Sequence, residues 1–273
     1  KGFQDALKEA FGDKVTFDLE YAANDPATCA TIANTFVSSG VDLIMANASS
    51  ALQAGASATG DIPVLGTSVT EYGVALKIDD FSGTVGTNVS GTSDLAPLDQ
   101  QAAMIQEWCP EAKTVGLLYC SGEPNSQYQV DTVQEHLEEL GYTCTQYAFS
   151  DSNDMAAVTQ TAADNSDVIY VPTDNTVASN ASIVDNICRP AKIPVFTGEQ
   201  GICKGCGVAT LSISYYDLGV TTGEMAVKVL RGEADISQMP IEYAPQFTKM
   251  YNRDICDDLG LTPPEGYTAL DAE

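Results

Sequence analysis

At 273 residues the chain suits one large domain or two lobes of about 100–150 residues each. Its 12 basic against 38 acidic residues give a formal charge of -26, which argues against nucleic acid or an anionic membrane surface as partner, because such binding runs on Lys and Arg replacing phosphate counterions. An apolar share of 44% with 8 Phe and 12 Tyr supplies real cores rather than a disordered chain, and no run of about 18 apolar residues is present to cross a membrane.

The chain opens on GFQDALKEAFG, where Phe3, Leu7, Ala10 and Phe11 share a helical face. VTFDLEY then predicts a strand, PATCATIANTFVSSG a helix, VDLIMA a strand, SSALQAGASATG a helix and IPVLGTS a strand. A second series starts at TVGLLY, a buried strand, followed by a helix over 124–140 that Gly141 ends. CTQYAF is the next strand, 153–163 a helix, DVIYVP a strand, 175–188 a helix, and IPVF and GVATLSI two more strands. YYDLGVTTGEMAVKVLRGEAD is an amphipathic helix with Leu218, Met225 and Val229 on its core face, stopped near Gly232. EYAPQFTKMYN reads as a last strand and RDICDDLGL as a short helix, after which Pro263 and Pro264 break the chain into a tail.

Short β-rich runs alternating with helices predict an α/β fold with two Rossmann-like lobes, each built on a parallel sheet with right-handed connections. The expected division is 1–93 plus about 215–236 for the first lobe and about 94–214 plus 237–273 for the second. The second series begins with a strand and the first with a helix. This asymmetry predicts one further strand, central to its sheet, upstream of Lys1.

In open parallel sheets ligands collect beyond the carboxyl ends of the strands, where strand order reverses. The loops at those ends are ANASS, GTSVTEYG, YCSGEPNSQ, PTDNTVASN, TGEQG and SISYYDLG, nearly all dense in hydrogen-bonding side chains. If two such edges face each other, these loops line a cleft between hinged lobes. Within them Ser121, Asn125 and Ser126 can cap the helix that Pro124 starts, or their hydroxyls and the free N–H groups can receive an anionic oxygen. Asp174 and Asp217 each stand at a helix start, either as a cap or as a carboxylate for a ligand ammonium group; Glu199 is a third such candidate. Tyr215 and Tyr216 can stack on an apolar ligand or pack at the hinge.

Enzyme signatures are absent. The single histidine, His136, sits mid-helix in VQEHLEEL, which removes His-based triads, and no GxSxG, P-loop or strand-linked GxGxxG occurs. The cysteines Cys29, Cys109, Cys120, Cys144, Cys188, Cys203, Cys206 and Cys256 include one close pair, CKGC. That pair lacks the second pair and the nearby His of a structural zinc site, leaving a local disulfide or free thiols. No metal or other cofactor is expected.

Together GTSVTEYGVAL, YCSGEPNSQYQV, VIYVPTDNTVASN, IPVFTGEQG and SYYDLGVTTGEMAVKVLRGE resemble the solute-binding component of an ABC importer. The closer resemblance is to the tryptophan/aromatic-amino-acid-binding branch of the type I periplasmic-binding-protein fold, and it runs from Gly2 to about Gly260. It implies non-catalytic capture of a small amino acid (Trp, Tyr or Phe), lobe closure, and delivery to an ABC permease in the membrane. It also implies an extracytoplasmic protein, periplasmic or a cell-surface lipoprotein, working as a monomer. Carried over by position, Thr67, Ser68 and Thr70 serve the first lobe with Asn47 and Ser49 nearby. Asn125 and Ser126 serve the second, beside Asp174 and Asn175, with Tyr215 and Asp217 at the hinge. The α-carboxylate falls to Ser68, Asn125 or Ser126 and the α-ammonium to Asp174 or Asp217, while Glu123 and Pro124 shape their loop. The competing readings are a sugar or other neutral solute as ligand, and a ligand-sensing domain of a receptor or regulator.

Overall fold

The computed structural model describes residues 1–23, 25–244 and 246–270, which divide into two units: 1–95 with 214–246, and 96–213 with 247–273. The chain starts in the first unit with α1 (Gly2–Phe11), whose Phe3 and Leu7 enter the core. Helix α2 (Pro26–Ser39) follows, started by Asp25 accepting from the Thr28 N–H and by Pro26 in the first turn, where a missing N–H is tolerated. Then come β1 (Ile44–Asn47), α3 (Ser49–Ala58), β2 (Val64–Val69), the short α4 (Tyr72–Leu76) and β3 (Val89–Ser93).

The chain then enters the second unit with α5 (Leu98–Trp108), β4 (Thr114–Cys120), α6 (Pro124–Glu139), β5 (Thr143–Phe149), α7 (Met155–Asn165), β6 (Val168–Val171), α8 (Asn175–Ser179), α9 (Ala181–Ala191), β7 (Val195–Thr197), α10 (Gln200–Cys206) and β8 (Ala209–Ser212). It returns to the first unit with α11 (Tyr215–Leu230) and β9 (Glu242–Tyr243), and ends in the second with β10 (Thr248–Tyr251), α12 (Arg253–Leu259) and β11 (Thr268–Ala269).

The first sheet runs β1-β2-β3-β9, parallel throughout. The second runs β11-β10-β8-β7-β6-β4-β5, parallel except where β10 meets β8. Both are covered by helices, and their central strands are buried at nearly every position, the pattern that a parallel sheet with two covered faces demands. In the second sheet the chain leaves β4 outward to β5 and then returns to the other side of β4 as β6. The strand order therefore reverses between β4 and β6.

Several expectations change. VTFDLEY forms no strand: Val15 and Phe17 pack on the core beside Leu43 and Met45, whereas Leu19 and Tyr21 are 78% and 88% exposed. No described strand pairs with this segment; with β1 it lines a groove of about 660 Å³, so its alternating sequence has no ladder to join. The helix expected over 175–188 breaks at Asn180, which leaves helical geometry between α8 and α9. EYAPQFTKMYN splits into β9 and β10 in different sheets, and its Pro245 lies outside the described residues. Because β9 pairs with β3, residues 237–246 belong to the first unit rather than the second. The segment after Pro264 is more than a tail, since Thr268 and Ala269 pair with β10.

The cysteines are all free thiols. Cys203 and Cys206 lie on α10, both buried, and burial pushes the Cys203 and Cys206 thiols well up. His136 is on α6 within 3.7 Å of Glu139.

Candidate functional site

In the second unit the loops after β4 and β6 meet at the reversal of strand order, where an open parallel sheet places its ligand crevice. Asp174 begins α8: its Oδ1 accepts from the Val177 N–H at 2.9 Å and its Oδ2 from the Cys120 N–H at 2.8 Å. One carboxylate thus ties the end of β4 to the start of α8. It is 1% exposed, and its pKa is raised to about 6, first by burial and then by the charge of Glu123.

Glu123 is the larger surprise. This residue, expected only to shape a loop, is 7% exposed and holds α8 from the other side. Its Oε1 accepts from Thr176 N and Oγ1 at 2.8 and 2.7 Å. Its Oε2 accepts from Asn175 N and Nδ2 at 2.9 and 2.8 Å, and from Asn125 Nδ2 at 3.4 Å. Each hydrogen bond to a carboxylate contributes about 1.5–3 kcal/mol, so this clamp repays burying an ion that would otherwise be costly.

Asn125 and Ser126 sit in the first turn of α6. Asn125 Nδ2 also donates to the Thr173 carbonyl at 3.1 Å, and Ser126, fully buried, approaches the same carbonyl at 3.4 Å. Gln129, one turn on, fixes Thr173 doubly, donating to its carbonyl at 3.2 Å and accepting from its N–H at 3.0 Å. Asn125, Ser126, Asp174 and Asn175 are therefore one constellation. Glu199 is not part of it: it caps α10 through the N–H groups of Gly201 and Ile202, and burial raises its pKa. Ser121 donates to the Phe149 carbonyl.

In the first unit the loops after β1 and β2 are shaped by the backbone. Ala48 and Ser68 have φ values of 77° and 53°, a region that a non-glycine residue occupies at a cost of about 1–3 kcal/mol and that clusters at ligand sites. Behind them Thr67, Thr92 and Thr222 hydroxyls form a triangle with edges of 3.3, 2.8 and 3.1 Å, and Tyr72 donates to the Thr92 carbonyl from beneath. Thr70 is buried and its carbonyl accepts from Ser93. Asn47 is exposed at the end of β1, and Ser49 is buried at the start of α3. Tyr215 donates to Asp94 Oδ2 at 3.2 Å. Asp217 is exposed on α11 and Tyr216 donates to Asp5.

The sequence reading missed Glu123, Gln129 and Asp94. Glu123 and Gln129 carry a signal: they flank Asn125 and Ser126 at the head of a helix dense in polar side chains. Asp94 follows β3, a strand that was not foreseen.

These features, two α/β units with polar strand-end loops and a buried constellation at a reversal of strand order, are those of a protein that binds a small solute. The chain belongs to the ABC transporter substrate-binding protein family, whose sequence profile matches residues 1–272. It is 33% identical over 267 residues to the tyrosine-binding protein of Clostridioides difficile (strain R20291), covering 96% of this chain and 76% of that protein. Among solved structures, the ABC domain of Streptococcus pneumonia in complex with L-Trp superposes with a TM-score of 0.91 at 33% identity, covering 98% of this chain and 93% of that one. A ligand-free, open substrate-binding protein with adhesive properties from Clostridium difficile gives 0.76 at 36% identity, over 100% and 93% of the two chains. A leucine-binding protein of Thermotoga maritima, at 14% identity and a TM-score of 0.66 over 94% of this chain and 80% of that one, shares the fold alone.

Proposed function

We propose that this substrate-binding protein captures an aromatic amino acid, tyrosine or tryptophan before phenylalanine, outside the cytoplasm and presents it to an ABC permease, acting as a monomer and without catalysis. The observation that carries this reading is the constellation of Asn125, Ser126, Asp174 and Asn175 at the strand-order reversal. It stands in a chain one-third identical, over nearly all its length, to proteins described with tyrosine and with L-Trp. Thr67, Ser68 and Thr70, with Asn47 and Ser49, are the ligand-facing candidates of the first unit, and Tyr215 and Asp217 those of α11. Glu199, committed to its own helix cap, is the weakest candidate.

The physics suits a zwitterion. An ion taken from water without a partner costs several kcal/mol, so the polar groups that receive it must be preplaced, as the clamped loops of the second unit are. A micromolar dissociation constant corresponds to about -8.2 kcal/mol, within reach of two charge-assisted ends and one buried ring. A thermal-shift screen of the twenty amino acids and common sugars tests the reading, because ligand binding to the folded state raises Tm. The expected result is a shift with Tyr, Trp or Phe; a shift confined to a sugar overturns it.

A further inference from the structure

The direction of the hydrogen bonds around Glu123 carries more than stability. Asn125 and Asn175 each spend their side-chain NH2 on the Glu123 carboxylate, and Asn125 spends it also on the Thr173 carbonyl and Ser126. A carboxylate and a carbonyl accept and never donate, so neither amide can turn over without placing oxygen against oxygen. That fixes the orientation chemically. Among the described residues no donor reaches Oδ1 of either asparagine. Asn125 is 7% exposed, and its oxygen, which has no protein partner, stays open to solvent or ligand rather than sealed in the core. Meanwhile the four carboxylate oxygens of Glu123 and Asp174 are all engaged by N–H and O–H donors.

We infer that Glu123 is a specificity-determining positioning residue: it locks Asn125 and Asn175 with their amide oxygens available as a paired acceptor for the ammonium group of the ligand. This rests on the amino-acid reading above. It departs from the expectations that Asn125 meets the α-carboxylate and that Asp174 meets the ammonium directly. An oxygen turned to the ligand repels a carboxylate, and Asp174, 1% exposed, already spends both oxygens on the Cys120 and Val177 N–H groups. The two buried carboxylates act through the amides instead, as negative charge behind neutral acceptors, which favours a cation in front of them. Substrates lacking the amino group leave those two oxygens unpaired in a closed site, and this is the discrimination that a hydrogen-bonding pocket exerts most strongly.

The test measures affinity by calorimetry for L-tyrosine and L-tryptophan and for their des-amino analogues, hydroxyphenylpropanoate and indolepropanoate. The wild type should prefer the amino acid strongly. In Glu123→Gln an NH2 replaces one carboxylate oxygen, so either the two amides, which share Oε2, or Thr176, whose N–H and hydroxyl share Oε1, lose their acceptor. The lock fails and the amino acid weakens by about tenfold or more. The des-amino analogue changes little, and the ratio between them collapses. Asn175→Ala, which removes one acceptor and keeps the carboxylate, should lower the same ratio and serves if Glu123→Gln does not fold. Equal weakening of both ligands in both variants would make Glu123 a merely structural residue and overturn the inference alone. Failure of the wild type to bind any amino acid would remove the functional reading and this inference with it.

Discussion

Behind the strand-end loops of the first unit stand hydroxyls and backbone: the Thr67, Thr92 and Thr222 triangle, with Ala48 and Ser68 held at positive φ. Behind those of the second stand two buried carboxylates, Glu123 and Asp174, each joining the loop after β4 to that after β6. Neutral hydroxyls titrate nowhere near physiological pH, and their arrangement is only as good as the backbone that carries them. Buried carboxylates orient donors strongly, but their energy depends on protonation. The first unit should thus be sensitive to backbone shape and the second to charge.

The sharpest way to break this contrast is through the close approach of β2 and β3. Gly91 has φ +146°, and a Cβ there would lie 2.1 Å from the Gly66 carbonyl oxygen and 2.4 Å from the Tyr72 hydroxyl. The first contact is with backbone, which cannot swing aside. Gly91→Ala should therefore cost about 3 kcal/mol or more, measured by urea unfolding, with no change in the shape of the pH profile. A cost within about 0.5 kcal/mol would show that the first sheet yields where it looks rigid.

For the second unit the expected effect is somewhat smaller and depends on pH. Asp174 has an ordinary carboxyl pKa of 3.8, raised to about 6 in the folded protein by burial and the Glu123 charge. Folding therefore favours its protonated form. The stability it contributes is fully present below about 3.8 and is lost as pH rises through about 6. The span corresponds to about 2–3 kcal/mol. Asp174→Asn removes this titration, so the difference in unfolding free energy between the two proteins should change by that amount between the two pH values. Subtracting the variant also removes the general self-repulsion of a chain of charge -26. Parallel profiles across this window would show that the carboxyl ionises without cost.

What the sequence made legible follows from the same division. The strands with continuous apolar runs and helices with Pro or Asp starts and Gly stops, such as α2 and α6, could be read because their signals are local. VTFDLEY alternates as a strand should, yet whether it is one depends on a neighbouring backbone, which no local pattern encodes. Strand β3, VSGTS, has too few large apolar residues to stand out, although it is wholly buried, and Asp94 was missed with it. Asn125, Ser126, Asp174 and Asn175 were legible as polar density at strand ends. That Glu123 organises them was not, because its partners Asn175 and Thr176 lie about fifty residues away.

Within the second unit an exposed carboxylate supplies the finest contrast with Asp174. Asp167 accepts from Lys113 N at 2.8 Å, Thr114 N at 2.9 Å and Thr114 Oγ1 at 2.9 Å, and these bonds, the Lys113 N–H first, lower its pKa below 3.8. It joins the start of β4 to the start of β6, at the opposite strand ends from the Glu123 clamp. Here the sign inverts: a depressed pKa means stability present above 3.8 and lost as pH falls through the lowered value. Being exposed and screened, the effect is small. Asp167→Asn should cost about 0.5–1 kcal/mol at neutral pH, and the difference from wild type should vanish in strong acid. If Asp167→Asn instead flattened the profile between pH 4 and 6, the slope there would belong to surface charge in general, and the assignment of that slope to buried Asp174 would fall.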